Sequence, residues 1–374
     1  MVFRTGAPIR TQENKHKQQG RTIMLGKDGR QTRQAAALGH DAPAAGAATR
    51  RKLMIGTGGL AAGLMLGNRP ARAATVLRWS TVVPNSHPEA VMMNAVAADV
   101  RAATGGAVEI QVFPAGQLGS SHDTIEAVSS GALQMVIDGP AACGQFLPVL
   151  SVLEAPYIWR DVAHIHRVLA SPLIPELSDR LVKARGMRIL GGTYYGTRHL
   201  TTGSRPVTSV ADMNGFKLRI PEVETYRTMA LAWGARPTPL NLGELYLALS
   251  QGAVDGQENP LPTINSSKFF EVQKHLVLTG HIINPRLVLV NQDAWAKLDA
   301  RAQDAIQAAL AKQVALHDAA VVKQEHDLLD VLKTAGMQVA EVDVESFRKP
   351  VLAVLPAKYE QSWGKGMWDR VAST

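Results

Sequence analysis

Arg198, Arg219 and Arg236 stand beside turns or at the ends of strand-like segments, where side chains can point into a cleft. Arg219 is the most informative of the three because it lies in an apolar strand context, where a guanidinium cannot be left unpaired. Its planar fork of N–H donors matches a carboxylate through two hydrogen bonds. From residue type alone, a ligand carboxylate and an internal salt bridge, for example to Glu222, are about equally good partners.

A second polar cluster, Asp-Gly-Gln-Glu-Asn-Pro over residues 255–260, ends a short predicted strand. Its amides and carboxylates could hold the hydroxyl groups of a ligand. Strings of this composition are more commonly solvated turns, so the cluster by itself leaves both interpretations open.

The sequence contains none of the residue patterns that mark common catalytic sites: no Gly-x-Ser-x-Gly elbow, Walker loop, dinucleotide fingerprint or His-Glu-x-x-His. His164 and His166 are spaced by two, which places their rings on different faces of a helix. A single cysteine, Cys143, excludes an intrachain disulfide and a multi-thiolate metal site, and we interpret it as a small buried hydrophobe. We therefore predict binding rather than catalysis, without a metal or cofactor.

Strand-like and helix-like segments alternate from residue 75 onward and must position these side chains. The order predicts a mainly parallel α/β architecture with helices on both faces, and enough strands for two sheets. The predicted strands are residues 75–82, 108–112, 133–137, 187–192, 216–220, 254–258 and 286–291. The predicted helices are residues 89–104, one capped by Ser120 or Ser121, residues 163–185 with an interruption at Pro172 and Pro175, and residues 223–233 and 243–251.

Residues 298–335 contain no Gly or Pro, and apolar residues recur there at steps of four and seven. A single helix of this length spans about 50 Å, which exceeds one lobe of a two-lobe protein. We predict a helix that bridges two lobes, with two helices separated by an unmarked break as the alternative.

Positive charge is concentrated before residue 74. The chain has a formal net charge of +8, and residues 1–73 carry 13 of the 40 Lys and Arg residues but 3 of the 32 Asp and Glu residues. The remaining 27 basic and 29 acidic residues leave no basic footprint, so we predict no nucleic-acid partner.

Residues 50–73 have the three parts of a secretory signal: Arg50-Arg51-Lys52, an apolar stretch, and Ala71-Arg72-Ala73. The apolar stretch of about 12 residues is shorter than the roughly 20 that span a membrane. The paired arginines resemble a twin-arginine export signal. We predict that residues 1–73 are a leader cleaved after Ala73 and that the mature protein reaches the periplasm.

With these residues in view, the chain resembles the solute-binding proteins of tripartite ATP-independent periplasmic (TRAP) transporters, of the DctP type. The resemblance covers residues 75–370, and its landmarks follow one another in order along the chain. They are residues 104–106, 113–119, 131–135, 195–198, 217–221, 243–249, 254–260 and 268–274.

The resemblance implies a two-lobe fold of the periplasmic-binding-protein kind, type II-like, with crossing strands and one long helix between the lobes. We expect lobe I to comprise residues 74–196 plus 285–323, and lobe II residues 197–284 plus 324–374. The family's two-pronged carboxylate clamp falls on Arg219, a second family arginine on Arg198, and an asparagine of the site on Asn259. We expect Glu222, Asn241 and Asp138 to meet ligand hydroxyls.

The middle third is most similar to the sialic-acid-binding branch, but four positions that face the ligand there differ here. Glu222 replaces an asparagine, Leu242 a phenylalanine, Gly139 a glutamate and Val82 an asparagine. We therefore expect a monocarboxylic sugar acid, such as a hexuronate or aldonate, rather than sialic acid. The alternatives are a C4-dicarboxylate and, from another class, a periplasmic enzyme. The implied partner is a membrane permease with a small and a large integral subunit, and we expect the receptor to be a monomer.

Overall fold

The computed structural model describes residues 74–374. The leader predicted over residues 1–73, with its paired arginines and its cleavage site, lies outside the described residues. Within the described part, nine strands form one mixed sheet that helices cover on both faces. The strands are β1 (Thr75–Ser80), β2 (Val108–Phe113), β3 (Met135–Asp138), β4 (Met187–Thr202), β5 (Lys217–Ile220), β6 (Arg236–Pro239), β7 (Gly256–Pro260), β8 (His275–Asn291) and β9 (Gln338–Ala340).

Thirteen α-helices lie between and after these strands in the described residues, with three short 3-10 turns over residues 148–154, 210–213 and 269–271. The helices are α1 (Pro88–Thr104), α2 (Ser121–Ser129), α3 (Pro140–Cys143), α4 (Val162–Leu169), α5 (Leu173–Arg185), α6 (Glu224–Ala232), α7 (Leu242–Ser250), α8 (Leu261–Ser266), α9 (Gln292–Ala296), α10 (Ala300–Thr334), α11 (Val344–Leu352), α12 (Leu355–Trp363) and α13 (Met367–Ala372).

Two long antiparallel strands, β4 and β8, run through the middle of the sheet. The order is β2-β1-β3-β8-β4-β7-β5-β6, and β9 pairs with the beginning of β8. β1, β2 and β3 adjoin one end of the two long strands, and this end forms the first lobe. β5, β6, β7 and β9 adjoin the other end, which forms the second lobe.

The prediction of a mainly parallel architecture in two sheets was wrong at the centre of the molecule. β3 pairs with β8, and β4 pairs with β7 and β8, all antiparallel, so that both lobes share one sheet. The sequence indicated only the halves of β4 and β8 in the first lobe because Gly191, Gly192 and Pro285 break the apolar pattern. The structure accommodates such interruptions through register shifts between β4 and β8, one of them between Tyr194 and Gly196.

The predicted long helix is confirmed as a single element, α10, of 35 residues. Asp299 caps its beginning by accepting a hydrogen bond from the Ala302 amide at 2.8 Å. The helix packs against α1 of the first lobe and against α8 and β9 of the second lobe. It therefore bridges the lobes as expected.

The predicted lobe boundaries at residues 196/197 and 284/285 fall at paired positions, since Gly196 lies opposite Asn284 in the sheet. The three C-terminal helices touch both lobes. Trp363 donates to the Ser151 hydroxyl at 2.7 Å, whereas Trp233 donates to the Phe347 carbonyl at 2.9 Å. The last segment of the chain thus contacts both lobes.

His164 and His166 on α4 have different partners, as their spacing predicted. Nε2 of His164 bonds to the Val371 carbonyl at 2.9 Å, and Nε2 of His166 lies 2.7 Å from the carboxylate of Asp318. Across residues 74–374, no helix has the length and apolarity needed to cross a membrane.

Candidate functional site

A small cavity lies between the two lobes, beside the middle of β4 and β8. Its volume is about 70 Å³. All six residues predicted for the site line this cavity. The four positions that differ from the sialic-acid-binding branch line it as well, and one of these, Glu222, is also among the six. The six are Asp138, Arg198, Arg219, Glu222, Asn241 and Asn259, and the other three positions are Val82, Gly139 and Leu242.

Arg219 comes from β5, the strand in which the apolar residues around it are buried, and its side chain is only 2% exposed. Its guanidinium donates through Nε, at 3.0 Å, and through Nη2 to the backbone carbonyl of Leu240. Within the described part of the chain, no carboxylate lies within ion-pair distance, and Glu222 is exposed at the cavity rather than paired with it. Burial lowers the pKa of Arg219 to about 10, so the group stays charged at neutral pH.

Arg198, in contrast, has a buried carboxylate partner. Its Nε and Nη2 donate to the two oxygens of Glu258 at 2.6 and 2.9 Å, Nη2 also donates to the Glu258 carbonyl, and Nη1 donates to Asn284 at 3.0 Å. Burial works against the charge of Glu258, but the charge of Arg198 and the bonds from Arg198 and His281 hold its pKa below the usual value. Of the five N–H groups of Arg198, one on Nη1 remains for another partner.

Arg286 is a third arginine of the cavity, which the sequence analysis did not identify. Its Nη1 donates to Asp138 at 2.7 Å, its Nε lies 3.4 Å from Glu89, and its guanidinium stacks 3.9 Å above the Tyr195 ring. The sequence pattern that could have identified Arg286 is the one used for Arg219, a lone arginine in an apolar strand. Arg236, which the sequence favoured instead, is exposed on β6 and does not line the cavity.

One of the two carboxylate oxygens of Asp138 is therefore already hydrogen-bonded within the protein. Its Oδ1 accepts from Arg286 and from the Gly139 amide, whereas its Oδ2 has no hydrogen-bond partner among the described residues. Glu89, on the other side of Arg286, accepts from the Thr81 hydroxyl, and burial raises its pKa to about 7.

Residues 256–260 of the polar cluster form a buried strand, β7, and the solvated-turn interpretation was wrong for them. Gly256 permits this, because a Cβ there would lie 2.2 Å from the Thr201 carbonyl of β4. Asn259 donates through Nδ2 to Gln257 at 2.5 Å, and its Oδ1 accepts no hydrogen bond from the described residues. The side chains of Asn241 and Glu222 likewise make no hydrogen bond within the described part of the chain, which leaves polar groups free beside the cavity.

Glu154 is a second residue that the sequence analysis missed. Its Oε1 accepts from the Tyr226 hydroxyl at 2.6 Å and its Oε2 from the Ala141 amide at 2.8 Å. Burial raises its pKa. A Cβ on Gly139 would lie 2.3 Å from Oε2, so the carboxyl of Glu154 takes up the space beside that glycine. No local sequence pattern marked Glu154, because it lies in an apolar 3-10 turn.

The mouth of the cavity is bridged by Gln145, which follows α3 in the first lobe. Its Nε2 donates to the Glu222 carbonyl of the second lobe at 3.0 Å, and its Oε1 lies 3.0 Å from Nδ1 of His122. The two lobes are thus in contact across the opening, and this conformation is closed.

These contacts define what the cavity can bind. Arg198 is balanced by Glu258, and Arg286 by Asp138 with Glu89, so that Arg219 is the buried cation of the cavity without an anionic partner in residues 74–374. An anion beside Arg219 would satisfy this charge, and the free amide and carboxylate groups suit hydroxyls. Among the described residues, no group of three His, Cys, Asp or Glu side chains is arranged to hold a metal ion.

Comparison with known proteins extends over nearly all of the described chain. The family model described as bacterial extracellular solute-binding protein, family 7 (DctP), matches residues 79–362. The sialic acid-binding periplasmic protein SiaP of Vibrio cholerae is 34% identical over 268 residues, which are 72% of this chain and 83% of the relative. The 2,3-diketo-L-gulonate-binding periplasmic protein YiaO of Escherichia coli is 30% identical over 245 residues, 65% of this chain and 74% of the relative.

Solved structures give the same result for the fold. A TRAP periplasmic solute-binding protein from Polaromonas sp. JS666, bound to D-erythronate, superimposes with a TM-score of 0.76 at 32% identity, over 80% of this chain and 99% of that one. A second one, from Actinobacillus succinogenes with bound L-galactonate, has a TM-score of 0.76 at 30% identity, over 80% of this chain and 98% of that one.

Proposed function

Because the chain belongs to family 7 of the bacterial extracellular solute-binding proteins, the DctP family of TRAP receptors, we propose that it binds a monocarboxylic sugar acid and delivers it to a membrane permease. The resemblance in its sequence motifs, and with it the two-lobe α/β fold, is confirmed by the family match and the solved structures. The ligand, the permease and the roles of single residues are the proposal.

The observation that carries the proposal is the charge of Arg219. A buried guanidinium whose partner is one backbone carbonyl carries a desolvation penalty of several kcal/mol. A ligand carboxylate that accepts two parallel N–H bonds would offset this penalty, and the remaining N–H of Arg198 could add a third bond. Since the other two arginines have protein carboxylates as ion-pair partners, a ligand carboxylate would be the anionic partner of Arg219.

The free polar groups favour hydroxyls on the rest of the ligand. Asn241 and Asn259 can donate and accept, and Glu222 can accept at the mouth. Several relatives are described with sugar acids, among them D-erythronate, L-galactonate, L-fuconate and 2,3-diketo-L-gulonate. The four changed positions that line the cavity argue against sialic acid itself, despite the similarity to SiaP.

A C4-dicarboxylate is the alternative within the same class. It is less favourable here because its second carboxylate would meet Glu222 in place of a cationic partner, and like charges at close range repel. An enzyme is the alternative from a different class. The family match argues against it, because the similar proteins described above are solute-binding receptors.

Export is part of the proposal and rests on the sequence of residues 50–73. We infer that the protein crosses the inner membrane by the twin-arginine route and works in the periplasm with a permease of one small and one large integral subunit. The lobe boundaries at residues 196/197 and 284/285 belong to the same proposal, and they place the hinge in the paired middle of β4 and β8.

The test is a thermal-shift screen of the mature protein with aldonates, hexuronates, C4-dicarboxylates and sialic acid. At 100 times its Kd a ligand adds about 2.7 kcal/mol of stability, which raises the melting temperature by several degrees. We expect this shift with a monocarboxylic sugar acid, its loss in Arg219→Ala, and its retention in the matched control Arg236→Ala. A shift with dicarboxylates alone would replace the proposal by the alternative, and conversion of a bound acid to a product would replace it by an enzyme.

A further inference from the structure

Arg286 has more hydrogen-bond donors than its ion pair uses. A guanidinium carries five N–H groups. One N–H on Nη1 of Arg286 donates to Asp138 at 2.7 Å, whereas neither Nε nor Nη2 makes a hydrogen bond within residues 74–374. The side chain lines the cavity and is only 8% exposed. Since buried polar groups are normally paired, the unused N–H groups indicate an acceptor that enters the cavity from outside the protein.

The guanidinium of Arg286 is fixed by contacts within the protein. Its Cζ lies 3.9 Å from the centroid of the Tyr195 ring, Nη1 is bound to Asp138, and Nε lies 3.4 Å from Glu89. Because these contacts already set its orientation, a ligand oxygen would bind it without the entropic cost of ordering a long side chain. Arg286 thus presents preorganised donors at the cavity.

The charges around Arg286 favour a neutral acceptor over a second carboxylate. Asp138 pairs with the guanidinium on one side, and Glu89 lies on the other. A ligand carboxylate at this position would meet both of these carboxyl groups, and like charges at close range repel. A hydroxyl accepts from the guanidinium without this repulsion and can donate its hydrogen to Asp138, whose Oδ2 has no hydrogen-bond partner among the described residues.

On the basis of the proposed function, we infer that Arg286 is a further ligand-binding residue, whose unused N–H groups donate to a hydroxyl of the sugar acid while Asp138 accepts the hydrogen of that hydroxyl. Arg219, on β5, binds the carboxylate, and Arg286, on β8, binds a hydroxyl of the same molecule. Both lobes therefore take part in recognition. An acid without this hydroxyl leaves buried donors unpaired and binds more weakly.

The experiment is calorimetry with D-erythronate and its three monodeoxy analogues, each of which lacks one hydroxyl. We expect the wild type to bind at least one analogue about tenfold or more weakly than erythronate. Arg286→Lys keeps the charge beside Asp138 but loses the fork of donors, so it should remove this difference. Arg219→Lys should weaken all four acids by a similar factor, because all of them have the carboxylate.

Arg188→Lys is the matched control, because Arg188 lies on β4 outside the cavity, bonded to Gln292 at 2.8 Å, and should leave all four affinities unchanged. Circular dichroism checks that the variants are folded. A crystal structure of the wild type with erythronate tests the contact without any variant, and we expect a ligand hydroxyl within about 3.2 Å of a guanidinium nitrogen of Arg286.

Two results would overturn the inference and leave the proposed function standing. One is a structure of the complex in which the ligand carboxylate, or no ligand oxygen, lies at Arg286. The other is a folded Arg286→Lys that changes the affinities for all four acids by the same factor. If the thermal-shift screen selects another sugar acid, that acid and its monodeoxy analogues replace erythronate. If no monocarboxylic sugar acid gives a shift, the proposed function fails, and the inference fails with it.

Discussion

At the scale of the residue, the two buried arginines that the sequence singled out have different surroundings. Arg219 has one backbone carbonyl as its partner, whereas Arg198 makes a two-pronged ion pair with Glu258 that His281 reinforces at 2.9 Å. The sequence left an internal salt bridge open as an alternative for Arg219. In the described residues Arg219 has no such bridge, whereas Arg198 has one, to Glu258. Among the described residues, the charge of Arg219 thus has no anionic partner, whereas that of Arg198 is paired within the protein.

Replacing each of these arginines by lysine separates the two roles, because lysine keeps the charge but loses the planar fork. We expect Arg219→Lys to weaken binding of the sugar acid by about 10- to 150-fold, or roughly 1.5–3 kcal/mol, with a melting temperature close to that of the wild type. We expect Arg198→Lys to lower stability by about 2–4 kcal/mol, because Glu258 is left incompletely paired in the interior. Calorimetry and thermal denaturation measure the two effects, and equal affinities for wild type and Arg219→Lys would exclude a two-pronged contact.

At the scale of the element, α10 is attached to β4 by two carboxylates near the point where β4 passes between the lobes. Asp318 accepts from the Thr193 hydroxyl and from the Tyr194 amide at 3.0 Å, and Glu325 accepts from the Tyr194 hydroxyl and the Thr197 amide, both at 2.5 Å. The amides of Tyr194 and Thr197 flank a register shift of β4, and there they donate to carboxylates of α10. The long helix therefore completes the hydrogen bonding of the crossing strand.

Removing one of these carboxylates should destabilise the molecule far more than removing an exposed one from the same helix. Asp318→Ala leaves the Tyr194 amide and the Thr193 hydroxyl without their acceptor, at a cost of about 2–4 kcal/mol. Asp327→Ala is the matched control, because its pair with Lys323 at 2.8 Å is exposed, screened by solvent, and contributes little to stability. Denaturation midpoints of the two variants test this, and similar midpoints would mean that packing alone holds α10 on β4.

At the scale of the whole molecule, the closed conformation depends on a few contacts between the lobes around the cavity. Gln145 reaches the Glu222 carbonyl at the mouth, and Tyr226 reaches Glu154 inside. The covalent connections between the lobes are the crossing strands and α10, and the C-terminal helices pack on both lobes. Opening would require these connections to bend between the lobes. We expect the ligand to stabilise these contacts and the free protein to open.

Small-angle scattering of the mature protein tests closure. A compact chain of about 300 residues has a radius of gyration of about 19 Å, which we expect for the ligand-bound protein, with a larger value for the free protein. Gln145→Ala should reduce the difference by weakening the mouth, and Lys365→Ala, on an exposed C-terminal turn, serves as the control. Identical scattering with and without a saturating ligand would show that binding does not require closure.

The sequence by itself determined the features that depend on local patterns. Its motifs indicated the family, the absence of Gly and Pro from residues 298–335 indicated α10, and the six predicted site residues all lie at one cavity. Short-range periodicity and capping specify such elements, and motifs keep their positions relative to them.

Only the tertiary structure decided which groups neutralise one another. Arg198 and Glu258 are 60 residues apart, and Arg286 and Asp138 are 148 residues apart. These pairs form because β4 adjoins β7 and β8 adjoins β3 in one continuous sheet, an arrangement that no local pattern encodes. The charge of Arg219, which has no anionic partner in residues 74–374, and the position of Glu154 follow from the same pairing of distant strands and turns.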